Sequence, residues 1–321
     1  MRTTLAQATA RLAAAGVPSP RVDAIALAEH ALGVPQLILA MPPTLPAAFE
    51  DQMERLVRRR ASREPLQHIV GYAAFRYLTV RVQAGIFLPR PETEVVAQQA
   101  VDEARRLVAA GKVPLVIDLC AGSGVIALSV AVEVPGSCVV AVDADPAAVA
   151  LTRVNATPLL DDAGPDTAFP ATELPHTAGL GTVVPTRSGV DSNGLRTVRV
   201  EMGDVSDPAL LADLDGKADI LISNPPYIPD DGIPPEREVA DHDPPLALFG
   251  GGPDGLDVPR HVVLAAVRLL RPGGLFVMEH ADVQGAAVRK LVDRTNAFSP
   301  ATTHQDLTGR DRFVVARRRA T

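Results

Sequence analysis

Apolar, strand-like runs alternate with helical segments from about residue 113 onward. A strand that returns through a helix to the next strand builds a parallel sheet with helices on both faces. The last apolar run, residues 312 to 316, follows a loop rather than a long helix, so we expect it to pair antiparallel with its neighbour. The pattern predicts an α/β protein with a doubly wound, mostly parallel sheet. The parallel strands are predicted near residues 114–119, 138–143, 197–202, 218–223 and 274–279.

The first part of the chain has a different pattern. Residues 1 to about 85 show helical periodicity with glycines as helix stops, and they lack strand alternation before residues 77 to 82. We expect a small N-terminal helical domain, followed by a short hairpin within a linker that extends to about residue 112. The sheet domain then occupies residues 113 to 321.

Residues 156 to 196 interrupt the alternation of strands and helices. Proline, glycine, threonine and aspartate crowd this stretch, whereas connections between helices and strands usually run to about six residues. We therefore expect a flexible surface insert without catalytic residues. A lid over a bound ligand is the alternative, since long loops sometimes close over a site.

A glycine-rich turn follows the first predicted parallel strand. It consists of Cys120, Ala121, Gly122, Ser123 and Gly124. Glycines let the backbone approach a ligand closely, and the helix that follows offers unpaired N–H groups to an anionic group. Asp143 ends the next strand about 20 residues later, which is the spacing of a carboxylate that binds ribose hydroxyls. These residues predict a cofactor site, but the turn also matches the dinucleotide pattern, so NAD stays open at this point.

A second motif, Asn224, Pro225, Pro226 and Tyr227, follows the fourth predicted strand. The asparagine side-chain carbonyl and the Pro225 carbonyl can accept both hydrogens of a planar NH2 group, while the Tyr227 ring packs against the group that carries it. Each proline fixes φ and removes a competing N–H donor. An amide or aromatic amine is a poor nucleophile, so it needs accurate aim and stabilisation of developing positive charge. The motif therefore indicates a catalytic cradle for a planar amine or amide.

Two features favour S-adenosylmethionine over NAD as the cofactor. Asp118 lies at the end of the strand before the glycine turn, where it can face the ammonium group of that cofactor. The cradle also provides a site for a methyl acceptor. Methyl transfer from a sulfonium is an in-line displacement that needs positioning but neither a metal nor a nucleophilic side chain, so we expect no metal site.

Other candidate residues have two interpretations. Arg90, Glu92 and Glu94 flank a proline that suits the first position of a helix, and acids favour the first helical turn. They could simply start a helix, but we favour a supporting role at the site. For His68 and Cys120 we expect packing roles, because His68 has no metal-ligand spacing around it and Cys120 closes a strand end.

Composition favours a soluble, cytoplasmic enzyme. The chain has 321 residues and 47% hydrophobic content, with no apolar run long enough to span a bilayer and no secretory signal. A net charge of −7 argues against a protein that wraps nucleic acid by neutralising phosphates, and aromatic content is only 3%. We therefore expect neither a membrane nor nucleic acid as a direct partner.

Segments spread over essentially the whole chain share the pattern of one known enzyme family. They are Pro65–Gly71, Leu88–Glu94, the glycine turn, Asp143, Gly203–Asp204, Asn224–Tyr227, Ala247–Gly251, Asp254–Leu256, Arg271–Gly274 and Asp306–Arg312. With these segments the chain closely resembles the release factor glutamine methyltransferases (PrmC/HemK). The glycine turn and the cradle occur in many methyltransferases, whereas the segment around Arg90 and those after the cradle are more particular to this family. The fold implied is a Rossmann-like class I methyltransferase sheet with an N-terminal helical domain.

The resemblance implies transfer of a methyl group from S-adenosylmethionine to the side-chain amide nitrogen of the glutamine in the Gly-Gly-Gln motif of peptide chain release factors. By position, Asp143, Asn224 and the glycine turn would contact the cofactor, and the cradle would hold the glutamine. Asp204 and Val205 stand where the family places residues beside adenine, although some members carry an aromatic residue at the position of Val205. The helical domain would bind the release factor.

Three other functions remain open from the sequence. A ribosomal protein could be the glutamine substrate, and an adenine or cytosine amino group could occupy the same cradle once the base is flipped out. For a nucleic acid substrate, however, we find no extra target-recognition domain. A nicotinamide-dependent oxidoreductase would use the glycine turn, but it leaves the cradle unexplained, and we see no obvious acid–base residue at a comparable strand end.

Overall fold

The computed structural model describes residues 1–41, 43–160, 197–234 and 236–320. The strands are β1 (Tyr72–Phe75), β2 (Leu78–Arg81), β3 (Leu115–Leu119), β4 (Cys138–Asp143), β5 (Thr197–Met202), β6 (Ala218–Ser223), β7 (Leu270–Glu279), β8 (Thr302–Gln305) and β9 (Asp311–Arg317). Seven of them form one sheet in the order β5-β4-β3-β6-β7-β9-β8, and β1 pairs with β2 as a separate hairpin. Strands β3 to β7 are parallel, whereas β9 is antiparallel to both β7 and β8. The predicted fold class is confirmed.

Helices form the N-terminal region and also cover both faces of this sheet. They are α1 (Arg2–Ala14), α2 (Pro20–Leu32), α3 (Phe49–Ala61), α4 (Leu66–Val70), α5 (Thr93–Ala109), α6 (Val125–Glu133), α7 (Pro146–Leu160), α8 (Arg237–His242), α9 (Pro245–Leu248), α10 (Asp257–Leu269) and α11 (Gly285–Asp293). The hairpin, α5 and α6 share one apolar core with the sheet, and α10 and α11 share another on the opposite face. Within the described ranges, no helix has the length and apolar character needed to cross a membrane.

The order of the strands determines where a ligand crevice forms. From β3 the chain moves outward through β4 to β5, and it then returns to the other side of β3 as β6 and β7. In open parallel sheets, ligands bind outside the carboxyl ends of the strands at such a reversal. The glycine turn follows β3 and the cradle follows β6, so the two predicted motifs lie at the same edge of the sheet.

The four N-terminal helices pack around an apolar core of their own, which includes Leu12, Leu27 and Phe49. In α3, Arg60 is buried and its Nε lies 2.7 Å from Asp23 Oδ2. Arg60 and Arg63 both donate to Glu238 in α8, the latter at 2.6 Å. These ion pairs tie the helical region to the segment that follows the cradle. The domain boundaries given above stay a prediction.

Three local features differ from the sequence expectations. Helix α7 continues to Leu160, so residues 156–160 are helical, and the rest of the expected insert, residues 161–196, lies outside the described residues. Strand β8 is absent from the prediction because its sequence, Thr-Thr-His-Gln, is polar and mostly exposed. The hairpin is found, but its first strand, β1, precedes the predicted apolar run, and its buried residues join the core of the sheet.

Candidate active site

A cavity lies at the carboxyl ends of β3, β4 and β6, where the strand order reverses. The predicted residues that line it are Arg90, Cys120, Ala121, Gly122, Ser123, Asp143, Asp204, Val205, Asn224 and Pro226. The predicted residues that are outside its lining are Glu92, Glu94, Asp118, Gly124, Pro225 and Tyr227. The structure thus brings the glycine turn and the cradle together around one space.

The backbone of the glycine turn adopts conformations that favour glycine. Gly122 has φ 58° and Gly124 has φ 84°, both in the left-handed region. A Cβ on Gly124 would lie 2.6 Å from Thr152 Cγ2 in α7, whereas a Cβ on Gly122 would meet nothing within 4 Å. Gly124 therefore permits close packing of the turn on α7, and Gly122 keeps its side of the turn open.

Polar groups of α7 and β4 hold the glycine turn in place. Gly122 N donates to Asp143 Oδ2 at 2.7 Å, and Thr152 Oγ1 donates to the Gly122 carbonyl at 2.9 Å. Asn155 Nδ2 donates to the Ser123 carbonyl at 3.0 Å. Burial raises the pKa of Asp143, although N–H donors from Asp145 and Gly122 oppose the shift. Each carboxylate oxygen retains a further lone pair, so Asp143 can still accept hydrogen bonds from a ligand.

Asp118 lies behind the wall of the cavity. It is fully buried, and its Oδ2 accepts a hydrogen bond of 3.0 Å from Ala127 N in the first turn of α6. Its Oδ1 has no hydrogen-bond partner among the described residues, and burial raises the pKa of this carboxyl to about 8. Asp118 therefore caps the helix that follows the glycine turn, and its contact with an ammonium group stays a prediction.

The loop after β5 forms another part of the wall. Gly203 N donates to the Asp143 backbone carbonyl at 2.9 Å, which places Asp204 and Val205 beside the end of β4. Asp204 Oδ1 accepts a hydrogen bond of 2.8 Å from Ser206 N, and hydrogen bonds from Ser206 lower the pKa of Asp204. An acid and an aliphatic side chain therefore line this part of the cavity, and their contact with adenine stays a prediction.

Asn224 has a defined orientation at the opposite side of the cavity. Its Nδ2 donates to Thr93 Oγ1, at the start of α5, over 3.2 Å. Among the described residues no donor occupies Asn224 Oδ1, so this oxygen can accept a hydrogen bond from a ligand. Pro226 also lines the cavity, whereas Pro225 is buried and Tyr227 is half-buried. Of the four cradle residues, Asn224 and Pro226 are thus the ones whose atoms border the open space.

The segment after the cradle packs closely against the cradle backbone. Ile228 N donates to the Leu248 carbonyl at 2.8 Å, and a Cβ on Gly250 would overlap backbone oxygens of Pro226 and Gly255. Gln284 is buried, and its Nε2 donates to the Tyr227 carbonyl at 2.8 Å. Gly250 is therefore required by contact with the cradle, and so is Gly255, because a Cβ on Gly255 would overlap the Tyr227 carbonyl oxygen.

The residues before α5 divide into two groups. Arg90 lines the cavity, forms an ion pair with Asp243 and lies over the Phe87 ring, 5.1 Å from its centroid. Glu94 Oε1 instead accepts a hydrogen bond of 3.0 Å from Arg76 N, and Glu92 is the residue before the first turn of α5. The helix-start interpretation therefore describes the surroundings of the two acids, and any role of these residues in catalysis stays a prediction.

The two residues for which we expect packing roles lie in different places. His68 is half-buried, and its ring centroid lies 6.5 Å from that of His242. Cys120 lines the cavity and packs against the core on the α10 side of the sheet. Burial raises the pKa of the Cys120 thiol, so the neutral form is favoured.

The sequence patterns do not indicate three residues that the structure places beside the cradle, namely Thr93, Gln284 and Glu279. Glu279 ends β7 and is fully buried, as is the neighbouring His280. A buried carboxyl and a buried imidazole therefore lie at the end of the strand beside β6, where the sequence interpretation named no candidate. An acid at the end of the apolar run 274–279 was a usable signal. Thr93 gave a weaker signal, because the interpretation of this segment rested on the acids on either side of it, Glu92 and Glu94.

The residues around the cavity fit S-adenosylmethionine. The open side of Gly122 and the N-terminus of α6 suit close approach of a polar group. Asp143 lies where a carboxylate can accept ribose hydroxyls. Asp118 Oδ1, which has no hydrogen-bond partner among the described residues, leaves a buried polar atom behind the turn. Among the described residues, no group of three or more His, Cys, Asp or Glu side chains could hold a metal ion.

The sequence of this chain is similar to those of known proteins over nearly its whole length. Residues 3–71 match the model of the PrmC N-terminal domain, and residues 91–161 match the model of the methyltransferase small domain. The release factor glutamine methyltransferase of Mycolicibacterium smegmatis is 42% identical over 99% of this chain and 98% of its own length. Those of Bifidobacterium longum and Streptomyces coelicolor are 41% and 42% identical, over 97% and 98% of this chain and 97% and 96% of their own lengths. The chain therefore belongs to the release factor glutamine methyltransferase family.

Proposed function

We propose that this protein transfers a methyl group from S-adenosylmethionine to the side-chain amide nitrogen of the glutamine in the Gly-Gly-Gln motif of peptide chain release factors. The observation that carries the proposal is the orientation of Asn224 in the cavity. Its Nδ2 donates a hydrogen bond to Thr93 Oγ1, which leaves Oδ1 to accept a hydrogen bond from a substrate NH2 group. Membership of the family supports the identity of the substrate.

The protein acts by aiming the acceptor nitrogen. When bound, S-adenosylmethionine would supply a methyl group on a positively charged sulfur, and the sulfur would keep the electron pair of the C–S bond as the nitrogen lone pair bonds to the methyl carbon. Asn224 Oδ1 and the Pro225 carbonyl accept the two amide hydrogens, which fixes the plane of the amide and favours the positive charge that develops on nitrogen. Pro226 and the Tyr227 ring pack against that plane. The methylated nitrogen then loses one proton.

The cofactor is held by residues from three strand ends. We assign the glycine turn to the methionine part, Asp143 to the ribose hydroxyls, and Asp204 with Val205 to the adenine edge. Asp118 supports the ammonium group with its unpartnered oxygen. Asn224 contacts both cofactor and acceptor, since it borders the space shared by the glycine turn and the cradle.

The N-terminal helical domain, residues 1 to about 85, contacts the release factor. It is linked through Arg60 and Arg63 to Glu238 in α8, the helix that precedes the cavity-lining segment from Pro244 to Phe249. Release factors engage ribosomal RNA, so their glutamine loop region is expected to be basic, and a chain of net charge −7 suits such a partner. Binding should therefore weaken as salt rises. The reaction belongs to translation termination in the cytoplasm.

Mass spectrometry of a purified release factor tests the proposal directly. After incubation with the enzyme and S-adenosylmethionine, we expect a gain of one methyl group on the glutamine of its Gly-Gly-Gln peptide. The Asn224→Ala enzyme is the matched control and should leave the peptide unmodified over the same time. Methylation of a ribosomal protein or of an oligonucleotide, with none on the release factor, would reject the proposed substrate.

A further inference from the structure

Glu279 lies directly behind the cradle. In the parallel pairing of β6 and β7, Ser223 is opposite Met278, so the next residues along the two strands, Asn224 and Glu279, are neighbours. Glu279 is 1% exposed, and neither of its carboxyl oxygens has a hydrogen-bond partner among the described residues. A buried carboxyl without a partner is destabilising, so its presence beside Asn224 calls for a functional reason.

Four groups surround the Glu279 carboxyl. The Thr93 hydroxyl approaches it from the start of α5, the Tyr227 hydroxyl from the cradle, and Arg312 from β9, while Glu92 is the nearby acid. Burial raises the pKa of Glu279 to about 7, against the opposing effects of the Thr93 hydroxyl and Arg312. The carboxyl therefore changes its charge near neutral pH.

The charge of Arg312 is itself fixed by the family-specific segment 306–312. Arg312 Nε donates to Asp306 Oδ2 at 3.0 Å, and Asp306 Oδ1 accepts hydrogen bonds from the backbone of Thr308 and Arg310 at 2.8 and 3.2 Å. This cluster keeps a compensated cation next to Tyr227 and Glu279. The Glu279 carboxyl, in contrast, has no such hydrogen bonds from the part of the chain that the structure describes.

The Thr93 hydroxyl joins Glu279 to Asn224. A hydroxyl has one hydrogen to donate and lone pairs to accept. Thr93 Oγ1 already accepts a hydrogen bond from Asn224 Nδ2, and its own hydrogen is free to point to the Glu279 carboxylate. In that arrangement Thr93 Oγ1 can only accept a hydrogen bond from Asn224. If the Asn224 side-chain amide were rotated by 180°, its Oδ1 would face Thr93 Oγ1, and two acceptors would be in contact. The flipped amide would also present its NH2 to the substrate NH2, which cannot be bound that way.

We propose that Glu279 is a positioning residue that sets the orientation of the Asn224 side-chain amide through the Thr93 hydroxyl. The inference rests on the proposed function, because it explains why Asn224 offers oxygen rather than nitrogen to the acceptor amide. When Glu279 is ionised it accepts the Thr93 hydrogen, and Asn224 Oδ1 is held toward the cavity. When Glu279 is protonated, its own O–H competes for Thr93 Oγ1 and the Asn224 orientation is no longer fixed.

Substitutions at Thr93 and Glu279 separate this role from a structural one. Thr93→Ser keeps the hydroxyl and should retain at least half of the wild-type kcat, whereas Thr93→Val removes it and should lower kcat about tenfold or more. Glu279→Gln offers both a donor and an acceptor to Thr93, so kcat should fall about tenfold with an unchanged KM for S-adenosylmethionine.

The pH dependence of kcat is a second readout. The wild-type kcat should fall as the pH drops below about 7, the pKa of Glu279, and this acidic decline should be missing in Glu279→Gln. A Glu279→Gln enzyme that is less heat-stable but keeps the wild-type pH profile would show a structural role only and overturn the inference.

A spectroscopic measurement decides the matter independently of the acceptor substrate. In 1H–15N spectra of the full-length protein, the Asn224 side-chain NH2 signals, assigned with Asn224→Ala, should shift with a midpoint near pH 7 in the wild type. They should not titrate in Glu279→Gln or in Thr93→Val. Signals that are independent of pH in the wild type would overturn the inference. If the wild type leaves the release factor unmethylated while the signals titrate as expected, the proposed function fails and the positioning role stands.

Discussion

Asn224 and Asp143 reach the cavity from opposite sides, and each is anchored by a second group. Asn224 donates to Thr93, and Asp143 accepts from Gly122 N at 2.7 Å. In the proposed reaction Asn224 contacts both the acceptor and the cofactor, whereas Asp143 contacts the cofactor alone. Substitutions at these residues should therefore affect different kinetic constants.

For Asn224→Ala we expect kcat to fall by about 10²–10³, as for removal of one oriented polar group in other enzymes. The loss arises because one amide hydrogen of the substrate no longer has an acceptor, and the nitrogen is less well aimed. Single-turnover rates at saturating S-adenosylmethionine measure this, and calorimetry of cofactor binding separates a loss of cofactor affinity from the loss of rate. A wild-type rate in this variant would refute the role of Asn224.

For Asp143→Ala we expect the opposite division. Loss of hydrogen bonds to a charged group is worth about 1.5–3 kcal/mol, so the Kd for S-adenosylmethionine should rise roughly 10- to 100-fold. Asp282→Ala, which removes an exposed acid before α11, is the matched control and should leave Kd unchanged. Calorimetric titration compares the variants, and an unaltered Kd for Asp143→Ala would remove this residue from the cofactor site.

The sequence predicts site residues that stand at the ends of strands, but it does not predict the residues that hydrogen-bond to them. Asn224 and Asp143 are predictable because each stands directly after an apolar run. Thr93 meets Asn224 across 131 positions of chain, and Gln284 meets Tyr227 across 57. Contacts at such separations depend on strand order and register, which hydrophobic periodicity does not specify.

At the scale of elements, the glycine turn and α7 act as one unit. Thr152 and Asn155 donate to the backbone of the turn, and Gly124 allows α7 to approach. The two glycines of the turn have the same backbone requirement but different surroundings. Their substitution by alanine therefore distinguishes packing from access to the cavity.

We expect Gly124→Ala to be the more destabilising substitution. Both alanines would have positive φ, at a cost of about 1–2 kcal/mol. Only that at 124 would also crowd Thr152, which adds about 1–3 kcal/mol. Thermal unfolding should show the difference as a lower Tm for Gly124→Ala than for Gly122→Ala. Equal Tm values would contradict the contact between the turn and α7.

Elements with apolar periodicity are predictable, and polar edge elements are not. The parallel strands and the antiparallel β9 lie close to the predicted positions because their side chains face two apolar cores. β8 pairs only with β9 and its residues are largely exposed, so no periodicity reveals it. The close packing of Gly250 and Gly255 against the cradle backbone is also not predictable from periodicity, because it depends on tertiary contact alone.

At the scale of the whole molecule, Glu238 connects the N-terminal helices to the catalytic end of the sheet. Arg60 and Arg63 contact its carboxylate, and all three side chains are mostly buried. Burial alone would raise the pKa of Glu238, but Arg63 and Arg60 lower it to about 2. The ionised form therefore stabilises the connection between the two parts of the chain.

We expect Glu238→Gln to destabilise the protein by about 1–3 kcal/mol, because two buried guanidinium groups lose a charged acceptor. Since the pKa of Glu238 is lower in the folded state, this contribution is full above about 4.5 and disappears as the pH falls toward about 2. Urea unfolding at pH 7 and near pH 3 measures the difference, with the exposed Glu236→Gln as the control. An equal loss of stability in both variants would contradict the connection.

The most direct test of the account is a crystal structure of the protein with S-adenosylhomocysteine and a glutamine-containing release factor peptide. We expect the sulfur of S-adenosylhomocysteine to lie beside the glycine turn, and the glutamine NH2 to lie within hydrogen-bond distance of Asn224 Oδ1 and the Pro225 carbonyl. A ligand bound away from the glycine turn, or a glutamine amide that contacts neither oxygen, would contradict it.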